Sequence, residues 1–226
     1  MAAISILCFI PAIVVHEVSH GYAALKMGDT TAKDAKRLTF NPLKHIDPFG
    51  TVLLPLMLVA MGMPAFGFAK PVPYNPMRFR NMKQGELVVG LAGPASNLVM
   101  ALISSAFAFA LHLVVGMQGS MSASVNEVLD WVFLILFYFT LINLCLMFFN
   151  LLPIPPLDGS SIIMPLLPNK AIPTWYKIQR YAFPILILLV VVLPYATSLL
   201  GYRIDPLSSY IEFTALNLAR LLFSYL

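Results

Sequence analysis

Long apolar runs alternate with short basic stretches along most of the chain. Residues 2–25, 87–115, 128–150 and 181–200 are each nearly or wholly free of charge. At about 1.5 Å per helical residue, runs of this length cross a hydrocarbon core roughly 30 Å thick. A last run, 207–226, carries Glu212 and Arg220 and reads as a fifth span or as an interfacial helix. Residues 48–68 are also apolar, but Gly50, Pro55, Gly62, Pro64 and Gly67 break them, and basic stretches flank both ends. A full crossing would put those stretches on opposite faces, against the positive-inside rule. The segment therefore reads as a re-entrant hairpin, with a short span as the alternative. Irregular backbone at such depth needs protein or a wet cavity around it. Residues 65–73 read as an extended edge strand, since Pro71 and Pro73 cannot donate to a ladder. Thr39-Phe40 before Asn41-Pro42 suggests a further short strand and turn. The expected fold is an all-α multi-span membrane protein: about five transmembrane helices plus a membrane re-entrant hairpin with short β-strands. It forms one integral-membrane domain, 1–226, with a core of about 2–168 and C-terminal helices at about 178–226.

Composition excludes an ordinary soluble domain. Of 226 residues, 59% are hydrophobic and only 11% charged, against roughly 25% charged in soluble domains; the mean hydropathy is +0.84. The net charge of +4 would by itself allow a nucleic-acid partner. The predicted topology removes that need. It gathers Lys26, Lys33, Lys36, Arg37, Lys44, Lys70, Arg78, Arg80, Lys83, Lys170, Lys177 and Arg180 on one side, leaving Arg203 outside and Arg220 dependent on the tail. Lipid is the implied surrounding. Cys8 and Cys145 both lie in apolar runs and read as small core residues rather than a disulfide. The first run resembles a signal peptide in length, but no basic region precedes it and no small-residue cleavage site follows.

The first span holds His16-Glu17-Val18-Ser19-His20. Positions i and i+4 share a helix face, so the two imidazoles can meet one metal ion. Zinc suits two such nitrogens, and the intervening glutamate can stand beside a water that the metal activates. Ionisable groups at membrane depth are costly and mark functional sites. Asp158, just after Pro153-Ile154-Pro155-Pro156, is the natural third ligand; two histidines and one carboxylate with an open fourth position form a catalytic zinc pattern. Asp158 could also cap the short helix that follows it. Asn143 and Asn150, seven residues apart, put a polar seam on one face of the third span. Small residues in Gly93-Pro94-Ala95-Ser96-Asn97 permit close helix approach. His112 reads as interfacial rather than as a ligand.

Taken together, His16-Glu17-x-x-His20, Gly93-x-x-x-Asn97 and Asn150-x7-Asp158-Gly159 resemble the site-2 proteases, a family of intramembrane zinc metalloproteases. Phe66-Gly67-Phe68-Ala69-Lys70-Pro71-Val72 resembles the short bacterial branch, and neither a PDZ nor a CBS module is seen. The resemblance implies one catalytic zinc on His16, His20 and Asp158, with Glu17 as general base. It implies that Asn150 positions substrate or stabilises the oxyanion, and that Phe66, Gly67, Phe68, Ala69 and Lys70 border the substrate entrance. The substrate would be a transmembrane protein, cut within or near its membrane segment. The location would be the bacterial inner membrane, with the active site nearer the cytoplasmic side and any regulatory membrane protein unidentified. The competing reading is a membrane metal transporter or a non-catalytic metal-binding protein. A transporter would want polar residues strung across the bilayer, whereas here they cluster around Glu17, Asn150 and Asp158.

Overall fold

The computed structural model describes residues 2–60, 67–117, 122–202 and 204–225. Three long helices, Ala2–Lys26, Met82–Met117 and Ala123–Asn150, are apolar enough to cross a membrane. A bent pair, Asn169–Gln179 with Pro184–Leu199, makes a fourth candidate if its halves, 56° apart, count as one span. A fifth is not found among the described residues.

The three long helices pack on one another. Ala12, Ala24, Ala101 and Ala108 are fully buried between them, as are Asn97, Thr140 and Asn143. Ile6, Leu7, Ile103 and Phe107 face outward and are more than half exposed. In lipid no hydrophobic drive joins helices, so small residues that let backbones approach, and polar groups that bond across, hold the bundle. Cys8 and Cys145 are free thiols, as expected.

The tail, 206–222, is helical and lies along the third long helix, with Ala215 and Ala219 against Leu144 and Met147. The Tyr210 hydroxyl donates to Phe148 O at 3.3 Å, and the Tyr225 hydroxyl reaches Ser105 O at 3.5 Å. The tail thus runs from the Asn150 end of the bundle to the far end, where His112 rests 5.2 Å from the Tyr225 ring. Lys83 Nζ donates to the carbonyls of Pro165 and Leu167, pinning that stretch to the start of the second long helix. Both ends of 168–205 therefore sit at one end of the bundle. The span expected at 181–200 falls on the second half of that bent pair and counts as a crossing only if the two halves are one span; Arg203 lies outside the described residues.

Within 48–68, Pro48–Leu53 and Leu54–Ala60 are helical, and residues 61–66 lie outside the description. Phe68 N–H donates to Gly50 O at 3.0 Å, and the Thr51 hydroxyl donates to Phe68 O at 2.9 Å. A Cβ at Gly50 would strike the Phe68 ring. The chain that leaves at Gly50 thus returns at Phe68.

No strand occurs among the described residues. Thr39-Phe40 is irregular and leads into a tight helical turn, Pro42–His45. Residues 67–75 form no regular element and join no ladder, and several of their amides are taken elsewhere. Lys70 N–H donates to His45 O, Val72 N–H to the Glu17 carboxylate and Asn75 N–H to the Asp29 carboxylate. Pro71 and Pro73 remove two more donors.

The first helix ends because Gly28 adopts a φ of 107° and Asp29 N–H closes back on Ala24 O at 3.0 Å. Asp29 is fully buried and accepts from Thr31 N–H, the Thr31 hydroxyl and Asn75 N–H, with Arg78 3.9 Å away. Burial alone would raise its pKa. The donors from Thr31 and Asn75, with Arg78, outweigh that and hold the carboxyl below its ordinary 3.8. A depressed folded pKa stabilises fully above the unfolded value and is lost as pH falls through the folded one. The wild type is expected to lose thermal stability steeply below about pH 4, and Asp29→Asn to flatten that acid limb. Superimposable limbs in a melting-temperature series would refute this.

Candidate metal centre and active site

His16 and His20 lie one turn apart on the first long helix, 2% and 7% exposed. Their Nε2 atoms are 3.1 Å apart. Asp158 Oδ2 lies 3.1 Å from His16 Nε2 and 3.3 Å from His20 Nε2. Among the described residues this is the group of three able to hold a metal ion. Asp158 arrives because Gly159 N–H donates to Asn150 O at 2.6 Å, folding the proline-rich loop back on the third helix. Gly159 has no room for a Cβ against the Leu151 and Leu152 carbonyls. The Asp158 carboxylate makes no cap bond to the short helix Ser160–Ile163, so the capping alternative is not realised.

The second long helix orients both rings. His20 Nδ1 bonds Val89 O at 2.7 Å; a carbonyl only accepts, so this nitrogen carries the proton and Nε2 presents a lone pair. His16 Nδ1 bonds Asn97 Oδ1 at 2.6 Å. Asn97 Nδ2 donates to Asn143 Oδ1 at 2.8 Å, and Asn143 Nδ2 to Phe139 O at 2.8 Å. That network assigns the Asn97 oxygen, and hence the His16 proton, to the Nδ1 side. Two lone pairs and the Asp158 Oδ2, which takes no hydrogen bond, therefore converge. Such an arrangement repels itself unless a cation stands at its centre. Ligands at about 2.0–2.1 Å in a tetrahedron lie roughly 3.3–3.4 Å apart, close to the observed 3.1–3.3 Å. The residues fit zinc. Gly93 completes the cradle, since a Cβ there would collide with both imidazoles.

These side chains open on a cavity of about 450 Å³, lined also by Glu17, Asn150, Gly67, Phe68 and Ala69. Lys70 does not line it; its side chain is exposed. Phe66 lies outside the described residues. Glu17 Oε2 accepts Val72 N–H at 2.9 Å. Asn150 Nδ2 here donates to Leu146 O at 3.0 Å.

Sequence reasoning missed Glu86, and it missed what Asn97 and Asn143 touch. Asn97 and Asn143 act as orienting groups rather than as packing alone; the signal was two asparagines inside uncharged spans, each needing a partner. Glu86, 4% exposed, accepts the Tyr176 hydroxyl at 2.7 Å and the Tyr74 hydroxyl at 3.2 Å. It joins the extended segment to helix Ile172–Ile187, and nothing local announces partners so distant in the chain. Asn97→Ala should weaken zinc binding by about 10–100-fold, the usual effect of losing a hydrogen bond behind a metal ligand. Competition with a fluorescent chelator measures this, and unchanged affinity would remove Asn97 from the site.

A buried His-His-Asp cluster able to hold a metal ion, with a glutamate beside it, lies inside a bundle of apolar helices. The chain belongs to peptidase family M50, the site-2 protease family, whose model matches residues 4–193. It is 38% identical over 215 residues to the Bacillus subtilis protein named "Putative zinc metalloprotease YwhC", covering 95% of this chain and 86% of that one. It is 28% identical over 177 residues to the Mycolicibacterium smegmatis "Putative zinc metalloprotease Rip2", covering 78% and 62%. A Mycobacterium tuberculosis protein of the same name is 26% identical over 155 residues, covering 67% and 52%. No solved structure matches the chain at a significant level. The protein is a multi-pass membrane metalloprotease. The transport reading is not favoured.

Proposed function

We propose that the chain is an intramembrane protease that hydrolyses a peptide bond within or near a transmembrane segment of a membrane-protein substrate. Its cofactor is Zn2+. The observation that carries this reading is the meeting of two imidazole lone pairs and one carboxylate oxygen beside Glu17, in a cavity set among apolar helices. In it, residues 1–226 act as one membrane domain. The catalytic mouth lies on the basic, cytoplasmic side of a bacterial inner membrane, and 48–68 dips into the membrane and returns.

His16, His20 and Asp158 would hold the zinc, which when bound supplies a Lewis acid that polarises the scissile carbonyl and acidifies water. Glu17 accepts a proton from the attacking water at a carboxylate oxygen and later delivers it to the leaving amine. Asn150 lets go of Leu146 O and turns its amide toward the developing oxyanion. A substrate helix hides its amides in its own hydrogen bonds, so it must unwind locally. The extended segment offers the unwound chain an edge: Gly67 and Ala69 line the cavity, and their backbone groups take no partner among the described residues.

Purified protein is expected to carry one zinc per chain and to cut a single-span membrane protein in liposomes. 1,10-Phenanthroline should stop cleavage, added zinc should restore it, and mass spectrometry should place the new termini in or beside the span. Intact substrate at full zinc loading, or zinc flux without proteolysis, overturns the reading.

A further inference from the structure

We infer that the backbone amide of Val72 is the positioning group for the Glu17 base, so that the segment bordering the substrate also aims the catalytic carboxylate. This rests on the reading of Glu17 as general base. Val72 is 4% exposed, and its N–H donates to Glu17 Oε2 at 2.9 Å. No hydrogen bond to Glu17 Oε1 is found among the described residues, which leaves that oxygen for water. A glutamate on a helix has three rotatable side-chain bonds and sweeps a wide arc unless one oxygen is held.

The local sequence makes the amide singular. Pro71 and Pro73 have no N–H, so Val72 supplies the one amide of the three residues. Pro73 also confines Val72 to extended backbone, and the Pro71 ring fixes its own φ, so few torsions around the N–H stay free. Two neighbouring bonds brace the same stretch: Lys70 N–H on His45 O at 2.9 Å and Asn75 N–H on Asp29 Oδ2 at 2.6 Å. Gly67 and Ala69, a few residues upstream, line the cavity. A substrate strand that seats this segment therefore also sets the aim of the base.

A structural role alone would have the bond hold the segment down, and its loss would then appear as weaker substrate binding. A positioning role puts the loss in turnover. Replacing Val72 by its α-hydroxy analogue exchanges the N–H for an ester oxygen and keeps the side chain. The expected result is a fall in kcat of about 10–100-fold, with KM and zinc content within about twofold of wild type. A loss confined to KM, or none, overturns the inference. Amide exchange gives a second readout that needs neither activity nor metal and tests the bond itself. The peptide spanning Pro71, Val72 and Pro73 contributes one exchanging amide from those residues. Glu17→Ala should speed its exchange at least about tenfold in metal-free and zinc-loaded protein alike, and an unchanged rate overturns the inference. An active Glu17→Gln would sink the base assignment itself. An inactive Glu17→Gln beside an unimpaired ester would sink this inference only.

Discussion

Glu17→Gln is expected to retain one zinc per chain and to lose about 10²–10⁴-fold in cleavage rate, the usual contribution of a positioned general base. The substitution keeps the shape and an oxygen able to accept Val72 N–H, so the extended segment stays where it is. Glu17 is not among the three converging ligand atoms. Metal content and turnover should therefore separate cleanly. The measurement is zinc by mass spectrometry on the same sample that is assayed against a single-span substrate. Cleavage at the wild-type rate would remove Glu17 from the chemistry; loss of zinc with loss of activity would move it into the ligand set.

Gly93→Ala should have an effect of comparable size by a different route. The new methyl would occupy the space of His16 Nε2 and His20 Nε2, and the first and second long helices are too closely packed to part without cost. Displaced imidazoles no longer converge with Asp158. Zinc affinity is expected to fall at least about 100-fold, beyond the usual effect of a lost supporting hydrogen bond, and proteolysis to fall with it. Gly116→Ala on the same helix is the control. Nothing lies within 4 Å of a Cβ there, so stability and zinc binding should be unchanged. Equal zinc affinity in Gly93→Ala and wild type would mean that the helices yield.

The ligand cluster was legible because each part had a local signature: i, i+4 histidines in an uncharged helix, and an aspartate after three prolines. The long helices were legible for the same reason, since hydrophobic length alone marks them. The orienting shell was not. Asn97 meets His16 across 81 positions of sequence, and Tyr176 meets Glu86 across 90. Such partners are set by helix docking, which no local pattern encodes. Residues 65–73 read as a proline-limited edge strand, but strand requires a neighbour strand; the described part, 67–73, forms none, and several of its amides meet loop carbonyls and the Glu17 carboxylate instead. The C-terminal third was hardest. Its apolar runs have the length of spans, yet the Tyr210 and Tyr225 contacts fix their direction, and those contacts are invisible until the third helix is in place.

The scarcity of amides on that proline-limited stretch has a colloidal consequence. An unpaired extended edge is an invitation to other edges, including the same edge of a second copy. With Pro71 and Pro73 mute and Lys70 and Val72 already engaged, only Gly67 and Ala69 remain as donors before the prolines. Two amides offer far fewer pairing points than a full strand edge would. The prolines thus leave this stretch little backbone with which a second copy could pair.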